Sequence, residues 1–199
     1  MDHPVETVRS QILVEATRLF AARGFAGTSL AHIAEALGIT KPTLLYHHGS
    51  KEELYDAVLD ALILHWRDEL PRLMTAAAGG PRVDGLLGAF HDYFAREPDR
   101  ARLLLREALD RPDALRRRLR EHVQPWTGLL TQAMAAGQAQ GVVRPGVDPE
   151  AFTTLVIAAT LGLAAAGAAA SALVTPEPDA ARQRAELLRV ARLALLSPP

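Results

Sequence analysis

The chain has 199 residues, 49% of them hydrophobic, no cysteine and a formal net charge of −1. That length holds one small domain and one of ordinary size, and the apolar share supplies a core readily. Near-neutral charge excludes a generic basic coat for nucleic acid, and the lack of cysteine excludes a disulfide scaffold, a thiol nucleophile and zinc-finger ligation.

The opening MDHPVETVRS has no apolar signal core, so a cytoplasmic location is expected. From Thr7 to Arg23, the residues Val8, Ile12, Ala16, Leu19 and Phe20 make one apolar stripe and predict a first helix. The segment from Thr28 to Leu54, TSLAHIAEALGITKPTLLYHHGSKEEL, is the densest in structural signals. Ser29 (or Thr28) is an N-cap whose hydroxyl accepts a free backbone N–H. Leu30, Ile33, Ala34 and Leu37 follow at i, i+3, i+4 and i+7, which is one helical face, and Gly38 stands where that helix stops. Ile39 plugs the turn, and Thr40 caps a second helix. Pro42 is tolerated in its first turn, where N–H groups have no partner to lose. That helix runs from Lys41 to about His48 and ends at Gly49, and Ser50 to Glu53 fits a capping box with each residue satisfying the other. Two short helices joined by a tight turn, then a third strong start, constitute a helix-turn-helix, a module for DNA binding.

Such a module reads the major groove with the exposed first turns of its second helix. Lys41 and Thr43 are the candidate base contacts. Pro42 offers apolar contact to a thymine methyl, and Tyr46 lies one helical turn further. Ser29, Thr40, His47 and Lys51 suit phosphates, because hydroxyls, cations and helix N-termini fix register without reading bases. Lys41 and Lys51 are the chain's only two lysines and flank this one helix, although residues 1–51 carry just five Lys/Arg against four Asp/Glu. Two readings stand for His48: a core ring, or a partner of His47 in gaining charge at mildly acidic pH and tightening phosphate contacts. Adjacent histidines point about 100° apart on a helix and make a poor metal pair.

Downstream, the chain reads as helix throughout. A fourth helix starts at Ser50 and runs through Trp66, with the first clear break at residues 76–82. Further helices span Val83 to Arg96, Arg100 to Leu109, and Asp113 to about Gln140, the last kinked at Pro125. Asp148-Pro149-Glu150 starts another, combining cap, first-turn proline and first-turn acid. It reaches about Leu173, and the turn Thr175–Asp179 leads into a final helix ending near Leu196. No alternating β pattern persists, so the expected fold class is all-α, with about nine helices. Arg116 to Arg120 is the densest basic run and reads as a solvated face paired with Asp113 and Glu121.

The residues Ala16, Leu19, Phe20, Gly24-Phe25, Ser29, Ile33-Ala34, Leu37-Gly38-Ile39-Thr40, Thr43-Leu44 and Ser50 to Leu54 carry a resemblance. Through them, the segment from about Val8 to Leu59 resembles the N-terminal DNA-binding domain of the TetR family of bacterial transcriptional regulators. The remainder is similar in length, helical character and the lead-in GVVRPGVDPEAF. Tyr46 stands one residue later than the family's common aromatic, and His48 occupies a position usually held by an aromatic core residue. The resemblance implies a helix-turn-helix domain over residues 1–50 and a larger helical ligand-binding and dimerisation domain over 51–199. It implies a homodimer on a double-stranded, palindromic DNA operator, released by a small-molecule effector, with no cofactor and no metal.

In that family, the helices from roughly Ser50 to Gln140 enclose the effector. His65, Trp66, His91, Tyr93, Phe94, Arg106, His122 and Trp126 are the candidate contacts, each with plain core packing as the alternative. The run Leu155 to Val174 is long enough to cross a bilayer. It lacks flanking basic clusters and an aromatic belt, which favours burial in protein over a membrane. The family pairs its last two helices with their symmetry mates, so Leu155, Ala158, Gly162, Ala166, Ala170, Leu187, Val190, Ala191 and Ala194 are the expected dimer contacts. No nucleophile–base pair, metal spacing or phosphate-cradling loop points to an enzyme. A ligand-independent or architectural helix-turn-helix protein, and a transcriptional activator, are the alternatives to a repressor.

Overall fold

Several helix starts in this chain are set by side-chain caps. The hydroxyls of Thr7, Ser29 and Thr40 accept from the N–H groups of Ser10, His32 and Thr43, and the carboxylates of Asp148 and Asp179 do the same further on. The computed structural model describes residues 7–76, 82–172, 174, 177 and 179–197. They form α1 (Val8–Gly27), α2 (Leu30–Ala36), α3 (Lys41–His48), α4 (Lys51–Ala76) and α5 (Arg82–Arg96). These are followed by α6 (Pro98–Asp110), α7 (Pro112–His122), α8 (Gln124–Ala139), α9 (Pro149–Ser171) and α10 (Ala180–Leu195). No strand forms among the described residues, and Val143 and Leu196 make one isolated antiparallel bridge.

Ten helices replace the expected nine because the stretch from Asp113 is broken rather than kinked. Pro125 disfavours helical geometry at the residue before it, so α7 closes with the Val123 N–H on the Leu119 carbonyl. The chain then restarts with Trp126 and Thr127 both donating to the Val123 carbonyl. α1 runs past the expected Arg23 but is interrupted at Gly24, whose φ of 72° is open to glycine at little cost. The capping box at Ser50 forms by half: its hydroxyl accepts from the Glu53 N–H at 3.0 Å, while the Ser50 N–H donates to the His48 carbonyl. The core of the expected break at 76–82, residues 77–81, lies outside the described residues. So does Leu173, together with most of the Thr175–Asp179 turn.

Two hydrophobic cores meet on α6. Ile12 and Phe20 of α1, Ile33 of α2, Leu44 of α3 and Leu59 of α4 bury one another together with Leu103 of α6. A second core gathers Phe94 of α5 and Ala101 of α6, against Trp126 and Leu161. Leu104 packs against both cores, so α6 is the wall shared by the N-terminal helices and the rest. Ion pairs tie other elements across long sequence separations. Asp92 of α5 takes two hydrogen bonds from Arg184 of α10, at 2.6 and 3.0 Å. Arg118 of α7 donates to Asp60 and Asp56 of α4, at 3.0 and 2.6 Å. Within the basic run, Arg116 pairs with Asp113 as expected, whereas Arg118 is a bridge between helices.

Candidate nucleic-acid interface

α3 has one face inside and one face out. Leu44 and His48, at i and i+4, are buried, while Lys41, Pro42, Thr43 and Tyr46 are exposed. Tyr46 is 87% exposed, so its ring is free to meet a partner. The helix is aimed by the turn ahead of it. Gly38 has a φ of 65°, and the Ile39 N–H reaches back to the Ala34 carbonyl at 3.0 Å, the bond that closes a Schellman ending. The Thr40 hydroxyl accepts from the Thr43 N–H at 3.2 Å and lies 2.8 Å from the Thr43 hydroxyl. Ser29 caps α2 in the same way, at 3.2 Å. Acceptance through oxygen leaves the Ser29 hydroxyl proton available to a phosphate. His47 is half-buried, with its ring edge-on to Tyr46 at 5.4 Å between centroids.

Lys51, at the start of α4, has its Nζ over the Phe25 ring, 4.3 Å from the centroid; contact with a phosphate would draw it off or share that ring. His48 fills the aromatic position as a buried ring whose Nε2 has no partner. Burial, with lesser contributions from Arg9 and His47, holds its pKa below 6.5, against an opposing effect of Glu53. It therefore gains charge at lower pH than an ordinary histidine, which runs against the mild-acid reading.

The expected effector contacts do not converge on one place. His65 and Tyr93 stack in parallel, 4.2 Å between centroids, and line an open cleft of about 890 Å³. Its other walls include Leu13 and Thr17 of α1, Leu62 of α4 and Gly88 of α5. Burial lowers the His65 pKa and raises that of Tyr93 to about 12. The Arg100 guanidinium lies 4.3 Å from the Tyr93 ring centroid. His91 is buried with Nδ1 3.2 Å from the Asp92 carboxylate, and Phe94 and Trp126 belong to the second core. His122 is half-buried on α7 beside Glu121. Arg106 lines a separate, smaller cleft. Trp66 is on α4, but its side chain lies outside the described residues.

Along α9, Leu155, Ala158, Ala166 and Ala170 are exposed and Gly162 is half-exposed; Leu155 alone is 68% exposed. On α10, Val190 and Ala194 are exposed, Leu187 is half-buried, and Ala191 is buried within the chain itself.

A buried polar group that the sequence did not reveal joins Tyr55 of the first core to α6. The Tyr55 hydroxyl donates to Glu107 Oε2 at 2.8 Å, and Arg111 Nε donates to the same oxygen at 3.0 Å. The Arg111 guanidinium also covers the Tyr55 ring, 4.2 Å from its centroid. Burial pushes the Tyr55 pKa up to about 12. The readable signal was the Glu107/Arg111 spacing at i and i+4; the partner 52 residues away was not readable.

Residues 12–58 match the model described as bacterial regulatory proteins, tetR family. Residues 82–192 match the model described as Tetracyclin repressor-like, C-terminal domain. The chain is 32% identical over 105 residues to the transcriptional activator FasR of Mycolicibacterium smegmatis, covering 51% of this chain and 47%, about half, of that relative. It is 28% identical over 145 residues to the transcriptional repressor NicS of Pseudomonas putida, covering 71% of this chain and 68% of NicS. Among solved structures, SCO4942 of Streptomyces coelicolor superposes with a TM-score of 0.70 at 25% identity, over 96% of this chain and all of that one.

Proposed function

The chain belongs to the TetR family of bacterial transcriptional regulators, and from that premise we propose a homodimeric repressor that a small molecule releases from a palindromic operator in the cytoplasm. The observation that carries this reading is the outward face of α3, where Lys41, Pro42, Thr43 and Tyr46 are exposed above a buried Leu44. In this reading, residues 1–50 read DNA and residues 51–199 bind the effector and the partner copy. Lys41 and Thr43 reach base edges, with Pro42 and Tyr46 beside them. Ser29, Thr40, His47 and Lys51 hold phosphates and set register.

The dimer is supported by α9, which is long and apolar enough to cross a membrane by length and composition yet has only 17% of its most apolar window buried. Leu155, Ala158, Gly162, Ala166 and Ala170 recur along one stripe, and α10 adds Leu187, Val190 and Ala194. A second copy covers that surface. Ala191, buried within the chain, supports the packing of α10 rather than the contact. The effector takes the cleft beside His65 and Tyr93, where α1 forms one wall, so occupancy bears directly on the first helix of the DNA-reading unit. Release requires that the effector bind the DNA-incompetent arrangement more tightly.

Selection of the purified protein against random duplex DNA at physiological salt tests the reading. The expected result is a palindrome with half-sites about one helical turn, ~34–36 Å, apart. Absence of enrichment by a folded dimer purified free of small molecules would overturn it. The FasR likeness supports activation as the second reading. In vitro transcription separates the two: RNA output falls for a repressor and rises for an activator when the protein is added. An architectural protein would leave output unchanged and would respond to no effector.

A further inference from the structure

Arg23, Arg106 and Arg111 face one small cleft of about 280 Å³, between the C-terminal end of α1 and the junction of α6 with α7. Asp110 is the only acid lining it. Arg23 and Arg106 are both exposed, and neither they nor Asp110 has an ion-pair or hydrogen-bond partner among the described residues. Arg106 lies against the α1 interruption, its Nη1 3.3 Å from where a Cβ on Gly24 would stand. Arg111 commits its Nε to Glu107, and two buried atoms of that pair, Arg111 Nη2 and Glu107 Oε1, have no hydrogen-bond partner. Glu107 sits behind this layer, held by Tyr55 and Arg111, and does not line the cleft. Two unengaged guanidinium groups and a third paired with Glu107 thus share a small space with one unengaged carboxylate, a net positive arrangement that favours an anion.

We propose that this cleft is an oxyanion site that takes a phosphate group, held jointly by Arg23 of α1 and by Arg106 and Arg111 of α6 and its end. Guanidinium forks match phosphate oxygens in pairs, which a set of lysines would not do. The contributors come from both sides of the boundary between the DNA-reading helices and α6, so a bound phosphate ties α1 to that wall. Two sources of the phosphate fit this place. Phe25 carries Arg111 on its ring at 4.9 Å and Lys51 at 4.3 Å, which puts the cleft beside the edge proposed to meet the operator backbone. Free phosphate, or a phosphorylated metabolite, is the other source.

The full chain is compared with Arg23→Gln, Arg106→Gln and an off-site control, Arg117→Gln, an exposed arginine of α7. For a free-phosphate site, millimolar phosphate replacing chloride at constant ionic strength raises Tm in the unaltered chain and in the control. The rise is roughly 3–6 °C once phosphate exceeds its dissociation constant about tenfold, and both cleft variants lose it. For an operator phosphate, Tm does not respond, and each cleft variant lowers the salt slope of DNA affinity by about 1 while the control leaves it unchanged. A Tm rise common to all four proteins is the general exclusion effect of phosphate. With equal salt slopes, that result overturns the site, and so does no response in either measurement. The thermal arm needs no operator: if no protein of the set binds DNA, a flat thermal response overturns the site by itself.

Discussion

Tyr46, Lys41 and Thr43 cost the fold little to lose, because their side chains are exposed on α3. Lys41→Ala or Thr43→Ala is therefore expected to relax preference at particular bases, by about 1–3 kcal/mol for a good contact, with stability changed by less than about 0.5 kcal/mol. Competition binding with operator variants reads the first effect and thermal unfolding the second. Lys51→Ala is expected to weaken all sequences alike and reduce the salt slope by about 1; a shifted base preference with an unaltered slope would reverse the assigned roles. His48 belongs to the fold instead. Burial lowers its pKa below 6.5, so the folded chain takes up this proton less readily than the unfolded chain. Its stabilising contribution is complete above about pH 6.5 and is lost as pH falls below that value. His48→Phe is expected to flatten the fall in stability between about pH 7 and pH 5, measured by denaturant unfolding. Equal pH slopes in the two proteins would show that the ring titrates like an exposed one. That His48 sits where an aromatic usually does followed from the family resemblance, but the orphaned Nε2 was not legible, since it depends on what the neighbouring helices present to it.

At the scale of elements, caps and glycine stops were legible because each is a local bargain between a side chain and the nearest free backbone group. Ser29, Gly38, Thr40 and Asp148 all terminate helices where their residue types say they should. The split between α7 and α8 was less legible, because one proline permits either a kink or a break, and packing of Trp126 into the second core goes with the break. The contact between α4 and α6 rests on Tyr55 and Glu107. Tyr55→Phe removes one of the two donors to a fully buried carboxylate, so a loss of about 1–3 kcal/mol is expected in denaturant unfolding. A neutral result would mean that water or Arg111 replaces the hydroxyl.

For the whole molecule, the exposed stripe of α9 asks for a second copy. Leu155→Glu places a charge on that surface and is expected to give a folded monomer by sedimentation. Operator affinity should fall by about 10²–10⁴-fold, as the two half-sites cease to be held together. A dimer with unaltered affinity would move the interface elsewhere, to α8 for instance, which buries none of its residues in the chain. Helical class and the helix-turn-helix pattern were determined by the sequence alone, because amphipathic period, caps and stops act over three or four residues and are written in order along the chain; the family followed from the resemblance those landmarks carry. Which ring meets which, where the two clefts open, and that Arg23 faces Arg106 and Arg111 were decided only by tertiary structure. Those pairings join residues far apart along the chain, and their side chains meet only once the helices have packed.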